Sequence, residues 1–256
     1  MPREISDSSR LKQGRGIIDI SNPESYIPWI KARDCYHGDG TRHILPDLFY
    51  ERRQIHLMSD LEKKLYYMLR GNEKVLDIFE QYPLLPQDKT EEICHLYSIK
   101  HPQDPKTKKN IVMTTDFVCI VKDQTDKRQW VACAVKPESQ LNDGRVSEKL
   151  FIEKQFWKDK NIRWGILTEN QVDNVYVNNV ILCKNGYKDN KMKNKYDLLK
   201  YLIVHKLINV DMHQAIDLDN ILVRVLEGEI KIEQNLCNAK RHNNDWFRIL
   251  ESFTEN

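Results

Sequence analysis

The chain has 256 residues, 40% of them hydrophobic, with 40 Lys and Arg against 38 Asp and Glu for a net charge of +2. Such a composition is ordinary for a soluble globular protein with room for two modest domains, and the charge is too small to prove a nucleic-acid partner. No apolar run approaches the ~20 residues needed to span a bilayer, nothing resembles a signal peptide, and the cysteines form no C-x-x-C pair, so the expectation is a reduced, cytoplasmic protein with no membrane contact.

The first ~50 residues show turn signals (SNPES, HGDG, ILPD) and little periodicity. Within them YIPWI, residues 26–30, has the aromatic and aliphatic mass to dock on a core. Cys35, His37 and His43 offer zinc-ligand chemistry, but their spacing matches no standard pattern. SDLEKKLYYMLRG (59–71) predicts a helix with Leu61, Leu65, Met68 and Leu69 as its apolar stripe, Ser59 as N-cap and Gly71 as its stop. VLDIFEQYPLLP (75–86) opens as a strand. MTTDFVCIVK (113–122) is apolar in both alternating sets, the pattern of a central strand covered on both faces. DQTDKR (123–128) is a polar turn and QWVACAVK returns as the partner strand. SEKLFIEKQFWKDKN (147–161) predicts a helix capped by Ser147, with Leu150, Phe151, Lys154 and Trp157 in register. That helix can serve as the crossover that lays RWGILT (163–168) parallel to QWVACAVK. Beyond residue 170 come a lysine- and asparagine-rich stretch (184–195), helical phrases in YDLLKYLIVHKL and IDLDNILVRVLEG, and an alternating EIKIEQN. Short helices followed by a β wing suggest a small winged-helix-like domain.

Three residues in this order carry chemistry. A turn centred near residues 125 and 126 sets Asp116 opposite Ala134, Val135 or Lys136, and alternation groups Ala134 with Lys136 on one face. A salt bridge at the sheet end is the plain alternative for Asp116 and Lys136. Glu62 lies one turn into the preceding helix, where Ser59-x-x-Glu62 also reads as a capping box. Together the three suit phosphodiester hydrolysis: carboxylates gather Mg²⁺, and a lysine beside it orients or deprotonates the attacking water and stabilises the charged transition state. An acid on a helix, an Asp on a strand, and a metal-facing residue, one spacer and a Lys on the paired strand form the restriction-endonuclease-like arrangement. The expected fold class is therefore α/β (α+β), with a catalytic domain over 1–168 and a smaller winged-helix-like domain over 169–256.

YIPWI, HLMSDLE, VLDIFEQYPLLP, SIKHP, TTDF, VKP, EKLFIEKQFW and RWGILT, in that order from about residue 10 to 170, strongly resemble the TnsA family, the endonuclease subunits of heteromeric cut-and-paste transposases. The resemblance implies a Mg²⁺-dependent nuclease (Mn²⁺ can substitute) that cuts the strands carrying the 5′ ends of a transposon in double-stranded DNA. It implies a TnsB-like transposase as partner and a TnsC-like ATP-dependent regulator engaged through the C-terminal part. The family's catalytic glutamate, aspartate and lysine match Glu62, Asp116 and Lys136. Val135 matches the position whose backbone carbonyl completes the metal's coordination, and Glu153 matches a further glutamate that could equally be a solvated helix charge.

One position departs. Where the family has glutamine, this chain has Ala134, which offers no side-chain oxygen. Either coordination is relaxed to two acids, backbone and water, or the nuclease has been disabled by drift or by design. A catalytically silent DNA- and protein-binding scaffold is therefore the alternative function, and a stand-alone restriction or repair nuclease fits the core but not the flanking phrases. Lysines within 106–110 and 184–195 are the candidate phosphate contacts, giving salt-sensitive binding without sequence readout.

Overall fold

The computed structural model describes residues 5–34, 41–188 and 193–232. Contacts divide the chain into two units, Met1–Val172 and Asp173–Asn256. Cys35, His37 and the end of EIKIEQN lie outside the described residues. Among those described, no helix is long and apolar enough to cross a membrane.

The first unit opens with a short helix, α1 (Asp7–Lys12), and an antiparallel hairpin of β1 (His43–Pro46) and β2 (Gln54–Leu57). Neither shows in the sequence pattern, because four-residue strands are too short for a period-two signal and one of them ends on a proline. Helix α2 (Asp60–Gly71) follows at once, capped by Ser59, whose hydroxyl accepts the Glu62 N–H. It runs through Gly71 to a cap at Asn72. Its buried face is Glu62, Leu65, Tyr66, Tyr67 and Arg70, while Leu61, Met68 and Leu69 are only partly covered. The apolar stripe read from sequence is thus rotated, since Arg70 and Glu62 find buried polar partners.

Strand β3 (Val75–Pro83), helix α3 (Gln87–Leu96), strands β4 (Thr114–Lys122) and β5 (Arg128–Val135), helix α4 (Gly144–Asp159) and strand β6 (Arg163–Leu167) complete this unit. The sheet order is β3-β4-β5-β6. The first three strands are antiparallel, with Phe79 facing Val118 and Val118 facing Ala132. After α4 the chain returns parallel to β5, from Val131 beside Arg163 to Val135 beside Leu167. Strand β4 is central, as its doubly apolar pattern requires. Helix α3 was not foreseen, because only Thr90, Ile93 and Cys94 of its residues are buried and its first half is polar.

Helix α4 starts earlier than expected. Asp143 caps it by accepting the Val146 N–H at 2.8 Å, and Ser147 sits inside the helix, donating back to the Leu141 carbonyl. Its buried residues are Leu150, Ile152, Glu153, Phe156 and Trp157, while Phe151 is partly covered, edge-on to Tyr97, and Lys154 is exposed. Ile152, Phe156 and Trp157 pack with Phe79, Val118, Ile120 and Ala132 of the sheet and Ile93 and Cys94 of α3. Each large side chain so buried contributes roughly 1.5–3 kcal/mol. Tyr26 joins this cluster and Trp29 is fully buried, so YIPWI docks on the core.

Hairpin and helix are fixed to β3 by buried charge. Asp47 accepts from Arg70 at 3.0 Å and lies 3.5 Å from Arg53, while Arg53 pairs with Glu80 at 2.6 Å and donates to the Ile78 carbonyl. Burial raises the Glu80 carboxyl above its ordinary range, and Arg53 opposes that rise.

In the second unit, α5 (Asn174–Leu182), α6 (Lys195–Val204) and α7 (Leu218–Leu226) enclose a core that includes Cys183, Leu199, Leu202, Leu222 and Val225. The winged-helix expectation is not met by the described residues, which hold no strand here. The stretch expected to begin a wing instead closes α7: Gly228 has φ +77°, and the N–H groups of Glu229 and Ile230 return to the Arg224 carbonyl at 2.9 and 3.1 Å. That left-handed glycine terminus is a standard way to satisfy a helix's last carbonyls.

Candidate active site

Four elements bring polar side chains to one end of the sheet. Glu62 arrives from the first turn of α2. Its Oε1 accepts from Ser59 Oγ at 3.0 Å and its Oε2 from the Met58 N–H at 2.9 Å, one residue before the N-cap, so the carboxylate folds back on the helix start without taking the Ser59 N–H that a full capping box requires. The same Oε2 also meets Gln81 Nε2 of β3 at 3.3 Å. One carboxylate thus folds back on the start of its helix and also reaches the sheet.

Asp116 lies near the start of β4. The register Phe117 to Cys133, carried one step on, sets it beside Ala134, the first of the three partners that the turn allowed. Its Oδ2 accepts from the Val135 N–H at 2.6 Å and from Lys136 Nζ at 3.1 Å, and its Oδ1 lies 3.5 Å from Gln81 Nε2. Lys136 Nζ also donates to the Val135 carbonyl at 2.7 Å. The end of β5 holds these atoms still, because the Lys136 N–H donates to the Leu167 carbonyl of β6. Glu62, Asp116, Lys136 and the Val135 carbonyl thus converge. Ala134 is fully buried next to them and contributes no polar side-chain atom.

The electrostatics follow from this crowding. Burial, then the charge of Asp116, raises the Glu62 carboxyl well above its ordinary range, against the pull of its hydrogen bonds and Lys136. Burial lowers the Lys136 ammonium's pKa, but Asp116 outweighs burial and the net direction is up. The lysine therefore stands as a cation at neutral pH.

Glu153 is near but not within this group. It is buried, not a solvated helix charge, and its Oε1 accepts from Thr115 Oγ1 and Trp164 Nε1, both at 2.9 Å. Burial and the neighbouring Asp116 push its pKa up to about 7. His43, the described member of the cysteine–histidine set, pairs with Asp60 at 2.8 Å. Lys106, Lys108, Lys109, Lys184 and Lys193 are exposed on the surface.

Gln81 is the residue that the sequence reading missed. It stands in β3 with φ +49°, and its carbonyl accepts the Trp29 N–H at 3.2 Å. A left-handed glutamine inside a strand leaves no mark on apolar alternation. The one signal was the pair Glu80–Gln81, two polar residues together in a run otherwise ready for burial.

The donor set fits a hard divalent cation: two carboxylates and a carbonyl, all oxygen, with a lysine ammonium already resting on Asp116 Oδ2 and the Val135 oxygen. Among the described residues, no group of three or more His, Cys, Asp and Glu side chains stands together as a metal cluster. A cation here would rest on two acids, backbone and water.

Residues 72–169, which include β3 to β6 and hold Gln81, Asp116 and Lys136, match the family described as TnsA-like endonuclease, N-terminal. The chain is also 35% identical over 177 residues to the transposon Tn7 transposition protein TnsA of Escherichia coli. Both matches support a TnsA family member. That alignment takes in 69% of this chain and 61% of the Tn7 protein, so the chain spans less than two thirds of its relative's length. The match to the TnsA-like domain begins after α2, so Glu62 stands outside it while the geometry brings it to the same place.

Proposed function

We propose that this chain is the TnsA-like DNA endonuclease subunit of a heteromeric transposase, a Mg²⁺-dependent enzyme that cuts the 5′-ended strands at transposon ends. The observation that carries the reading is the convergence of Glu62, Asp116, Lys136 and the Val135 carbonyl at the end of the β4–β5 pair. Glu62, Asp116 and the Val135 carbonyl would hold the ion, with Mn²⁺ able to replace Mg²⁺. When bound, that ion supplies a Lewis acid for the phosphodiester oxygen and makes water a nucleophile near neutral pH.

The chain's own residues do the rest. Lys136, held as an ammonium, donates to the attacking water and to charge developing on phosphorus-bound oxygen. Asp116 fixes the lysine's position through Oδ2 while its Oδ1 remains turned toward Gln81. Glu153 stays outside the reacting atoms and orders Thr115 and Trp164 behind Asp116. A TnsB-like transposase that handles the 3′ ends and a TnsC-like ATP-dependent regulator are the partners this reading requires, with exposed lysines of 106–110 on the phosphate backbone.

Ala134 favours a second reading, a silent scaffold that binds DNA and partners without cutting. Strand cleavage of labelled transposon-end DNA, with Mg²⁺ and the partner transposase, separates the two. The endonuclease reading expects cleavage of the 5′-ended strand, a loss of ~10²-fold or more in Asp116→Asn and in Lys136→Met, and a gain of up to ~10²–10³ in Ala134→Gln as a positioning group returns. No cleavage by either this chain or Ala134→Gln would leave the scaffold.

A further inference from the structure

Gln81 has no assigned role, and its geometry is unusual in three independent respects. It is 3% exposed, deep enough that every polar atom of its amide needs a partner. Its backbone holds φ +49° inside a strand, a conformation that non-glycine residues adopt rarely and at a cost. And its amide is fully directed: Oε1 accepts from Thr114 Oγ1 at 3.3 Å, while Nε2 reaches Glu62 Oε2 at 3.3 Å and Asp116 Oδ1 at 3.5 Å. Among the described residues it is the one side chain seen to hydrogen-bond to both acids.

We infer that Gln81 is a positioning residue of the metal centre, whose amide holds the Glu62 and Asp116 carboxylates facing one another so that a single divalent cation can take an oxygen from each. This rests on the reading of the site as a metal centre. Two carboxylates brought together in a buried place repel. Without a donor between them each would turn away, toward the Met58 N–H on one side and Lys136 on the other. An amide NH₂ has two hydrogens and can serve both acids at once.

The left-handed backbone is what puts the amide there. Asp116 on β4 lies directly across from Gln81 by the register of Glu80 with Phe117 and Tyr82 with Thr115. At φ +49° the Gln81 carbonyl leaves the ladder for the Trp29 N–H, so the segment carrying Trp29 locks the turn of the strand. The carboxylate oxygens accept and so draw the NH₂ end of the amide, leaving Oε1 to accept from the Thr114 hydroxyl. The contacts at 3.3 and 3.5 Å are long for hydrogen bonds, which suits a group that spaces two ligands rather than one that captures either.

The test is Mn²⁺ binding, read by the loss of the free-ion electron paramagnetic resonance signal, in the full chain and four variants. Gln81→Asn keeps an amide and tolerates the left-handed backbone, but draws the NH₂ back by one methylene. Gln81→Leu removes the amide altogether. Glu62→Gln and Asp116→Asn report on the ligands. Mn²⁺ affinity is expected to fall ~10–100-fold in both Gln81 variants, the usual loss when a ligand's supporting partner is removed. The Gln81→Asn melting temperature should stay near that of the parent; should Gln81→Leu fail to fold, Gln81→Asn decides alone. Unchanged affinity in the Gln81 variants, with both acid variants weakened, overturns this inference and leaves the metal centre standing. Unchanged affinity in all four removes the metal centre and this role with it.

Discussion

Glu153 shows what a single buried carboxyl does to the balance of the molecule. Its pKa rises from the ordinary 4.5 to about 7 because burial and Asp116 both disfavour its charge. The folded state therefore binds a proton more readily than the unfolded chain between those two values. Stability must fall as pH rises through that window, and the loss is complete above about 7, at an upper bound of roughly 3 kcal/mol from ~1.4 kcal/mol per pKa unit. A glutamine in its place would keep an oxygen to accept from Thr115 and Trp164 without carrying the charge. Glu153→Gln is expected to be more stable than the parent at pH 8 by about 1–3 kcal/mol and close to it at pH 4, with a flatter dependence between. Urea denaturation at the two pH values reads the difference, and an equal effect at both would mean that the carboxyl does not titrate as its surroundings require. The same residue marks a limit of sequence reading. By pattern Glu153 is one charge among several on a helix, and only the position of Trp164 and Thr115 makes it a buried acceptor.

At the level of elements, the site depends on how α2 and the β1–β2 hairpin are fastened to the sheet. Asp47, Arg53, Arg70 and Glu80 are buried charges that pair with one another, and Glu80 is the neighbour of Gln81. Removing one partner leaves the other charged and dry. Arg53→Met is expected to cost roughly 3–5 kcal/mol, and Arg53→Met with Glu80→Gln to recover most of it, because the neutral amide still accepts the His56 N–H. A double variant no more stable than the single one would show that the arginine acts through packing, over the rings of Tyr26 and Phe79, and not through charge. Sequence pattern found the long elements of this unit, namely α2, β3, β4, β5, α4 and β6, since each carries a run or a period that burial on one or two faces imposes. It missed α1, β1, β2 and α3, whose burial rests on few residues or none, and it rotated the stripe of α2, because Arg70 and Glu62 are covered for reasons of pairing. Glu62, Asp116 and Lys136 were legible as a set because helix, strand and hairpin come in the right order. Gln81 was not, because nothing in its neighbourhood announces a left-handed backbone.

For the whole molecule, the division into two units separates what each can do. Every residue of the candidate site, together with Trp29, Thr114 and Leu167, which hold it in place, falls within Met1–Val172. That unit has its own core under α3 and α4, and the second unit has another around α6 and α7. Among the described residues, neither of these clusters draws a residue from the other unit. Residues 1–172 alone are therefore expected to unfold in one cooperative transition and to bind Mn²⁺ within a factor of about 3 of the full chain, a difference of ~0.6 kcal/mol. Calorimetry and the Mn²⁺ titration read these two properties separately. A fragment that melts cooperatively but has lost the ion would place a determinant of the metal centre in the second unit. One that does not fold would show that the core of the first unit needs the second, and that the residues gathered at the end of β4 and β5 owe their order to contacts outside their own sheet.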